Sequence, residues 1–202
     1  MKFNTGGGDF ETLEAGTYMA RIYSIVDIGE QTYEDKAGRK KTQRKFVMSF
    51  EINELMEDGR PFVVSKFYTA SLHDKASLTI DLNSIRGKAM TEDDKAKFDI
   101  ANILNVPVMV TITHKEKQGG GVRVNVAGVA NVPKGMEVPE LRNEIIHFDI
   151  DDEKTHSALE KVPDWLKDKI NWLTATDSKI GKPVPAPDPI PESEHDFDNP
   201  PF

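Results

Sequence analysis

The sequence predicts a mainly β domain with helical insertions, and three observations carry that prediction. Residues 17–28 and 44–52 are rich in aromatic and β-branched side chains, and the second run alternates apolar with polar positions. Turn signals fall at Asp58-Gly59 and at Gln118-Gly-Gly-Gly121, each between two such runs. Apolar residues take up helical spacing only between residues 72 and 104, and again in short pieces beyond residue 150.

Taken in order, Asn4 to Asp9 contain three consecutive glycines, and residues 1–14 read as a flexible arm. A phosphate-cradling loop would need a strand before it and a helix after it. The first strand, Thr17 to Ile28, ends at Gly29. In the second, Phe46, Met48, Phe50 and Ile52 share one face, and Lys45, Val47, Ser49 and Glu51 share the other. Asp58-Gly59 turns the chain into a returning strand, Pro61 to Thr69. Between Leu72 and Ile85, Leu78, Leu82 and Ile85 are spaced for one helical face that stops near Gly87. Thr91 and Asp94 form a capping-box-like start to a second short helix running through Phe98 to Leu104. Val106 to Lys117 and Val122 to Val129 form a final hairpin.

Three strands, a helical insertion and two strands is the order of an OB-fold, a partly open five-stranded barrel whose face and loops commonly hold single-stranded nucleic acid. Residues 15–135 are assigned to it. Residues 136–175 read as a helical extension packed on the barrel, with short helices near Asp151 to Glu160 and from Pro163 onward. Trp165, Leu166, Lys169 and Trp172 are spaced to dock an apolar stripe. Seven of the 12 prolines lie between Pro183 and Pro201, so residues 176–202 read as a disordered, Pro-rich acidic tail.

The 202 residues carry 34 acidic and 26 basic side chains, a net charge of −8, which on its own argues against a nucleic-acid binder. The distribution reverses that reading: residues 1–135 hold 19 basic against 18 acidic side chains, and residues 136–202 hold 7 against 16. The body is nearly neutral and the excess acid belongs to the last third. The absence of cysteine excludes a disulfide scaffold and a thiolate zinc site. No apolar run is long enough to span a bilayer and the start lacks a signal-peptide core, so an intracellular protein without membrane contact is expected. The five histidines show no paired metal-ligand spacing, Gly87-Lys88 lacks the rest of a phosphate loop, and Asp149, Asp151 and Asp152 lack the EF-hand pattern. No enzyme, cofactor or metal is therefore expected.

Lys36, Arg39, Lys40, Lys41, Arg44 and Lys45 fall within ten positions at the loop joining the first two strands, with Tyr33 just before them. In an OB-fold this loop borders the nucleic-acid groove. If Ala20 and Ile22 face the core, alternation turns Met19, Arg21 and Tyr23 outward, and the same logic exposes Lys45, Lys66 with Tyr68, Lys115, and Arg123 with Asn125. The phosphate candidates are thus Arg21, Arg39, Lys40, Lys41, Arg44, Lys45, Lys66, Lys115 and Arg123, and the stacking candidates are Tyr23, Tyr33 and Tyr68. A solubilising hairpin tip, and a packing role for Tyr23 or Tyr68, are the alternatives that the residues leave open. No tryptophan falls within residues 15–135.

The chain closes in Asp196-Phe197-Asp198-Asn199-Pro200-Pro201-Phe202, and from Asp188 onward it carries five acids, the last two Asp196 and Asp198, with no Lys or Arg among them. A terminal carboxylate can pair with a cation while the phenyl ring fills an apolar pocket. This ending resembles the acidic tip with which bacterial single-stranded DNA-binding proteins recruit replication and repair enzymes. With the strand order and the Pro163 to Ile170 stretch, the chain resembles bacteriophage single-stranded DNA-binding proteins. That resemblance implies sequence-independent binding of single-stranded DNA during phage replication or recombination, in the cytoplasm of the infected bacterial host. It also implies that Asp196, Phe197, Asp198, Pro200, Pro201 and Phe202 dock replication or recombination proteins. A ring-forming strand-annealing protein and a phage adaptor without DNA binding are the alternatives, and a homo-oligomer is left open.

Overall fold

The computed structural model describes residues 11–34, 37–116 and 122–172. Over these the chain is mainly β. The strands are β1 Gly16–Glu34, β2 Lys40–Leu55, β3 Pro61–Thr69, β4 Pro107–Glu116, β5 Val122–Asn131 and β6 Ile146–Phe148. The helices are short, α1 Ser77–Arg86, α2 Glu92–Ala96 and α3 Asp164–Lys167, with 3-10 segments at Ile100–Ile103 and Glu153–Lys161. The N-terminal glycines, Lys36, the Gln118 to Gly121 tip and the acidic tail, including Asp196 to Phe202, lie outside the described residues.

The antiparallel path runs β3-β2-β1-β4-β5, and β6 joins β1 in parallel. Among the described residues no ladder links β3 to β5, so the hydrogen-bonded sheet is open there; α1 packs against both strands. β1 organises the sheet. Gly16 to Arg21 pair with β4, Ser24 to Val26 pair with β6 on the same edge, and Ala20 to Glu34 pair with β2 on the other.

Two irregularities let one strand serve all these partners. The register with β2 shifts between Ile22 and Ser24, which makes Tyr23 an extra residue and reverses the alternation. Ala20, Ile22 and Ile25 therefore face the inner core, while Tyr23, Val26 and Ile28 face the opposite side. A second shift between Asp27 and Gly29 carries the strand past its expected end at Gly29 to Glu34. Gly29 has φ 72°, which a side chain resists, and a Cβ there would lie 2.1 Å from the Asn171 carbonyl oxygen.

The inner core collects Phe46, Met48, Phe50 and Ile52 of β2 with Leu78 and Leu82 of α1 and Val108, Val110 and Ile112 of β4. On the other face, Tyr23, Val26, Ile28, Val47 and Phe67 form a second core with Ile146, Phe148, Ile150, Val162 and Leu166. Burying one such side chain contributes about 1.5–3 kcal/mol. Buried Phe148, Val162 and Leu166 dock residues 146–166 against the sheet. Polar clamps fix the approach: the Glu51 carboxylate accepts the Arg142 and Asn143 N–H groups, each at 2.8 Å.

The helical insertion is shorter than its sequence spacing suggests. α1 begins at Ser77 rather than Leu72 and ends where Gly87 turns left-handed at φ 69°. The Thr91 and Asp94 capping box is present, but α2 stops at Ala96 and only the 3-10 segment follows. β6 is too short for alternation to announce it.

Candidate nucleic-acid interface

β3 pairs with β2 only as far as Thr69 opposite Lys45. Beyond that point residues 30–34 and 40–44 pair with each other, as a two-stranded ribbon. Its five residue pairs extend it by roughly 17 Å at the usual strand rise. Register sorts its side chains by face. Lys41 stands opposite Tyr33, Gln43 opposite Gln31, and Lys45 opposite Gly29. On the reverse face Lys40 stands opposite Glu34, Thr42 opposite Thr32 and Arg44 opposite Glu30. The first face carries two ammonium groups, a phenol ring and two amides with no carboxylate among these positions. On the second face, cations and acids confront each other.

Lys45 Nζ sits 5.4 Å from the centre of the Tyr33 ring and 3.4 Å from Thr69 Oγ1, so ring and cation are held as a unit. Tyr33, Lys41 and Lys45 are brought together, with exposed Arg39 and Lys40 at the ribbon end. Lys115 and Arg123 face each other across β4 and β5, next to the Thr113 and Asn125 pair, whose side chains bond at 3.0 Å. They mark a second cationic position beside the β4–β5 turn.

Five other candidates are committed elsewhere. Lys66 and Tyr68 do not face outward: they stand opposite Met48 and Phe46 on the inner face of the sheet, because Val63 and Phe67 supply the second core. Tyr68 is 1% exposed and stacks on Phe46 at 5.5 Å. Lys66 Nζ and the Tyr68 hydroxyl both donate to Asp81 of α1, at 2.8 and 2.6 Å, which is what makes a buried lysine tolerable there. Tyr23 does lie on the face opposite Ala20 and Ile22, but the second core covers that face and leaves it 8% exposed; burial, and secondarily the Glu51 charge, push its hydroxyl up to about 12.

Arg21 spends its guanidinium on backbone carbonyls, donating to Asn105 and Pro139 at 2.8 Å and to Val138 at 3.0 Å. Arg44 is gripped by Asp27 at 2.5 Å, Asp149 at 3.1 Å and Asp151. Its pKa is raised above the ordinary arginine value, chiefly by the hydrogen bond to Asp27. Beside it opens a pocket of about 400 Å³, walled by Phe46, Leu78, Phe98 and Phe148 and rimmed by Asp27, Asp99, Asp149 and Asp151. Such a rim repels a polyanion, so the pocket is not a phosphate track.

No protein-family model and no curated protein matches the chain. Among the described residues no cluster of three His, Cys, Asp or Glu is placed to hold a metal ion, and no helix is long and apolar enough to cross a membrane. One residue outside the predicted set follows Asn171, which bonds to the Ile28 and Glu30 carbonyls at the ribbon base. α3 ends at Lys167, so Trp172 is not on the helical stripe that its spacing suggests; it stands 48% exposed near the ribbon base. A signal for this existed in Pro163 and the short, charged run after it, which cannot sustain a long helix.

Proposed function

We propose that the protein binds single-stranded DNA without sequence preference, through an OB-fold body, in phage replication or recombination. The ribbon face that gathers Tyr33, Lys41 and Lys45 carries this reading. Lysines there would neutralise phosphates while the Tyr33 ring stacks on a base, worth about 1–3 kcal/mol. Flexible ammonium groups and a ring face read no base edges, which accounts for sequence independence. Strand order β3-β2-β1-β4-β5, with α1 between the two free edges, is compatible with an OB-fold. Lys115 and Arg123 would extend the phosphate contacts, and Arg39 and Lys40 would flank them.

The tail from Asp196 to Phe202 would recruit replication or recombination proteins, its acids steering it to a basic rim. Deleting those seven residues is expected to abolish partner capture and to leave or raise affinity for single-stranded DNA. A loss of DNA affinity would mean that the tail has the opposite role.

The face assignment is tested by anisotropy titration of a labelled thymidine oligomer with Lys41→Glu, Lys45→Glu and Lys40→Glu. Reversal at Lys41 or Lys45 is expected to weaken binding more than reversal at Lys40, whose neighbour Glu34 already offsets its charge. Equal affinity of all three with the parent would remove the ribbon from the site.

A further inference from the structure

We propose that Trp172 is a base-stacking residue of the same single-stranded DNA site, an inference that rests on the DNA-binding reading above. The residues leading to it are tied to the ribbon base. The Asn171 N–H donates to the Ile28 carbonyl at 2.9 Å, and the Asn171 side-chain amide donates to the Glu30 carbonyl at 2.7 Å. Gln31, on the ribbon face that carries Tyr33, Lys41 and Lys45, donates to the Lys169 carbonyl at 3.1 Å. The segment that ends in Trp172 therefore abuts the proposed DNA face.

The indole is held in a defined pose. It meets Phe148 edge-on, with centroids 5.6 Å apart and planes at 77°, and meets His156 in the same way at 5.8 Å and 88°. Phe148 is fully buried, so this support is rigid. Nevertheless 48% of Trp172 stays in water although Phe148 of the second core lies against it. A large ring fixed on one side and open on the other loses little conformational entropy when a second flat ring covers it. Every nucleobase offers such a ring. Lys169 in the same segment, and Lys41 and Lys45 of the ribbon, are the cations that would meet the flanking phosphates.

The chain has two tryptophans, so Trp165→Phe leaves Trp172 as the single indole reporter. Titrating that variant with a thymidine oligomer is expected to quench its emission, saturating together with the anisotropy of a labelled oligomer. Trp172→Ala is expected to bind roughly five- to 150-fold more weakly at the same salt, the span set by about 1–3 kcal/mol per stacked base. Trp172→Phe should recover part of that loss. If the oligomer binds without quenching and Trp172→Ala keeps parental affinity, the stacking role is overturned and DNA binding stands. If no oligomer binds at low salt, DNA binding itself is overturned, and the stacking role with it.

Discussion

Gly29 isolates the contact that fastens the C-terminal extension to the ribbon. Substitution by alanine adds two penalties. The first is the left-handed backbone at φ 72°, costing about 1–2 kcal/mol for a residue with a side chain. The second is displacement of Asn171, whose carbonyl oxygen lies 2.1 Å from the new Cβ and whose two hydrogen bonds to Ile28 and Glu30 must break or stretch. At about 0.5–1.5 kcal/mol each, those bonds add about 1–3 kcal/mol. Gly29→Ala should therefore destabilise by about 2–5 kcal/mol. Two other glycines separate the terms. Gly59 shares the positive φ, at 83°, with nothing within 4 Å of a Cβ, so Gly59→Ala should show the backbone cost alone. Gly128 has open space and no positive φ, so Gly128→Ala should be neutral or stabilising by about 0.5–1 kcal/mol. Urea unfolding of the three variants ranks them. Equal stability of Gly29→Ala and Gly59→Ala would refute the claim that Asn171 presses on the ribbon base.

Three further outcomes test residues that the fold withdraws from the proposed DNA site. Tyr68→Phe should lose about 1–2 kcal/mol in urea unfolding, because buried Asp81 loses a donor, and should leave oligomer affinity unchanged. Arg44→Ala should cost about 2–3 kcal/mol, discounted for the partial exposure of Arg44, because Asp27 is left largely buried and unpaired; its salt dependence of DNA binding should match the parent. The Tyr23 hydroxyl, raised to about 12 in the folded chain from its ordinary value of 10.0, favours the neutral folded form. Its contribution to stability is complete below pH 10, is lost as pH rises toward 12, and should be missing from the alkaline unfolding curve of Tyr23→Phe.

Alternation made β2 legible residue by residue, since Phe46, Met48, Phe50 and Ile52 do line the inner core. The Thr91 and Asp94 capping box and the Asp58-Gly59 turn were legible for the same reason: each is a local pattern with a local cause. The bulge at Tyr23 left no local mark; it reverses the alternation only as far as the second shift, between Asp27 and Gly29, beyond which Tyr33 again shares the outward face with Lys41 and Lys45. β3 deceived differently. Phe67 and Val63 face the second core, so the polar-looking Lys66 and Tyr68 turn inward and are satisfied by Asp81, a partner 13 residues or more away in sequence. Arg21 and Arg44 show the same limit: a cation's partner, here the carbonyls of residues 138–139 or the carboxylate of Asp149, depends on the distant chain that packs over it. The ribbon cations were legible because β1 and β2 pair locally there, and register alone decides their faces.

The central claim, that the ribbon face of Tyr33, Lys41 and Lys45 holds single-stranded DNA by its phosphates, is tested most directly by the salt dependence of oligomer affinity. Two lysines on two phosphates predict a log–log slope of about −1.4, steeper as Lys115, Arg123 or Arg39 contribute, and a flattening of about 1.4 in the Lys41→Gln, Lys45→Gln double variant. Undetectable binding at low salt, or a slope that the double variant leaves unchanged, would contradict it.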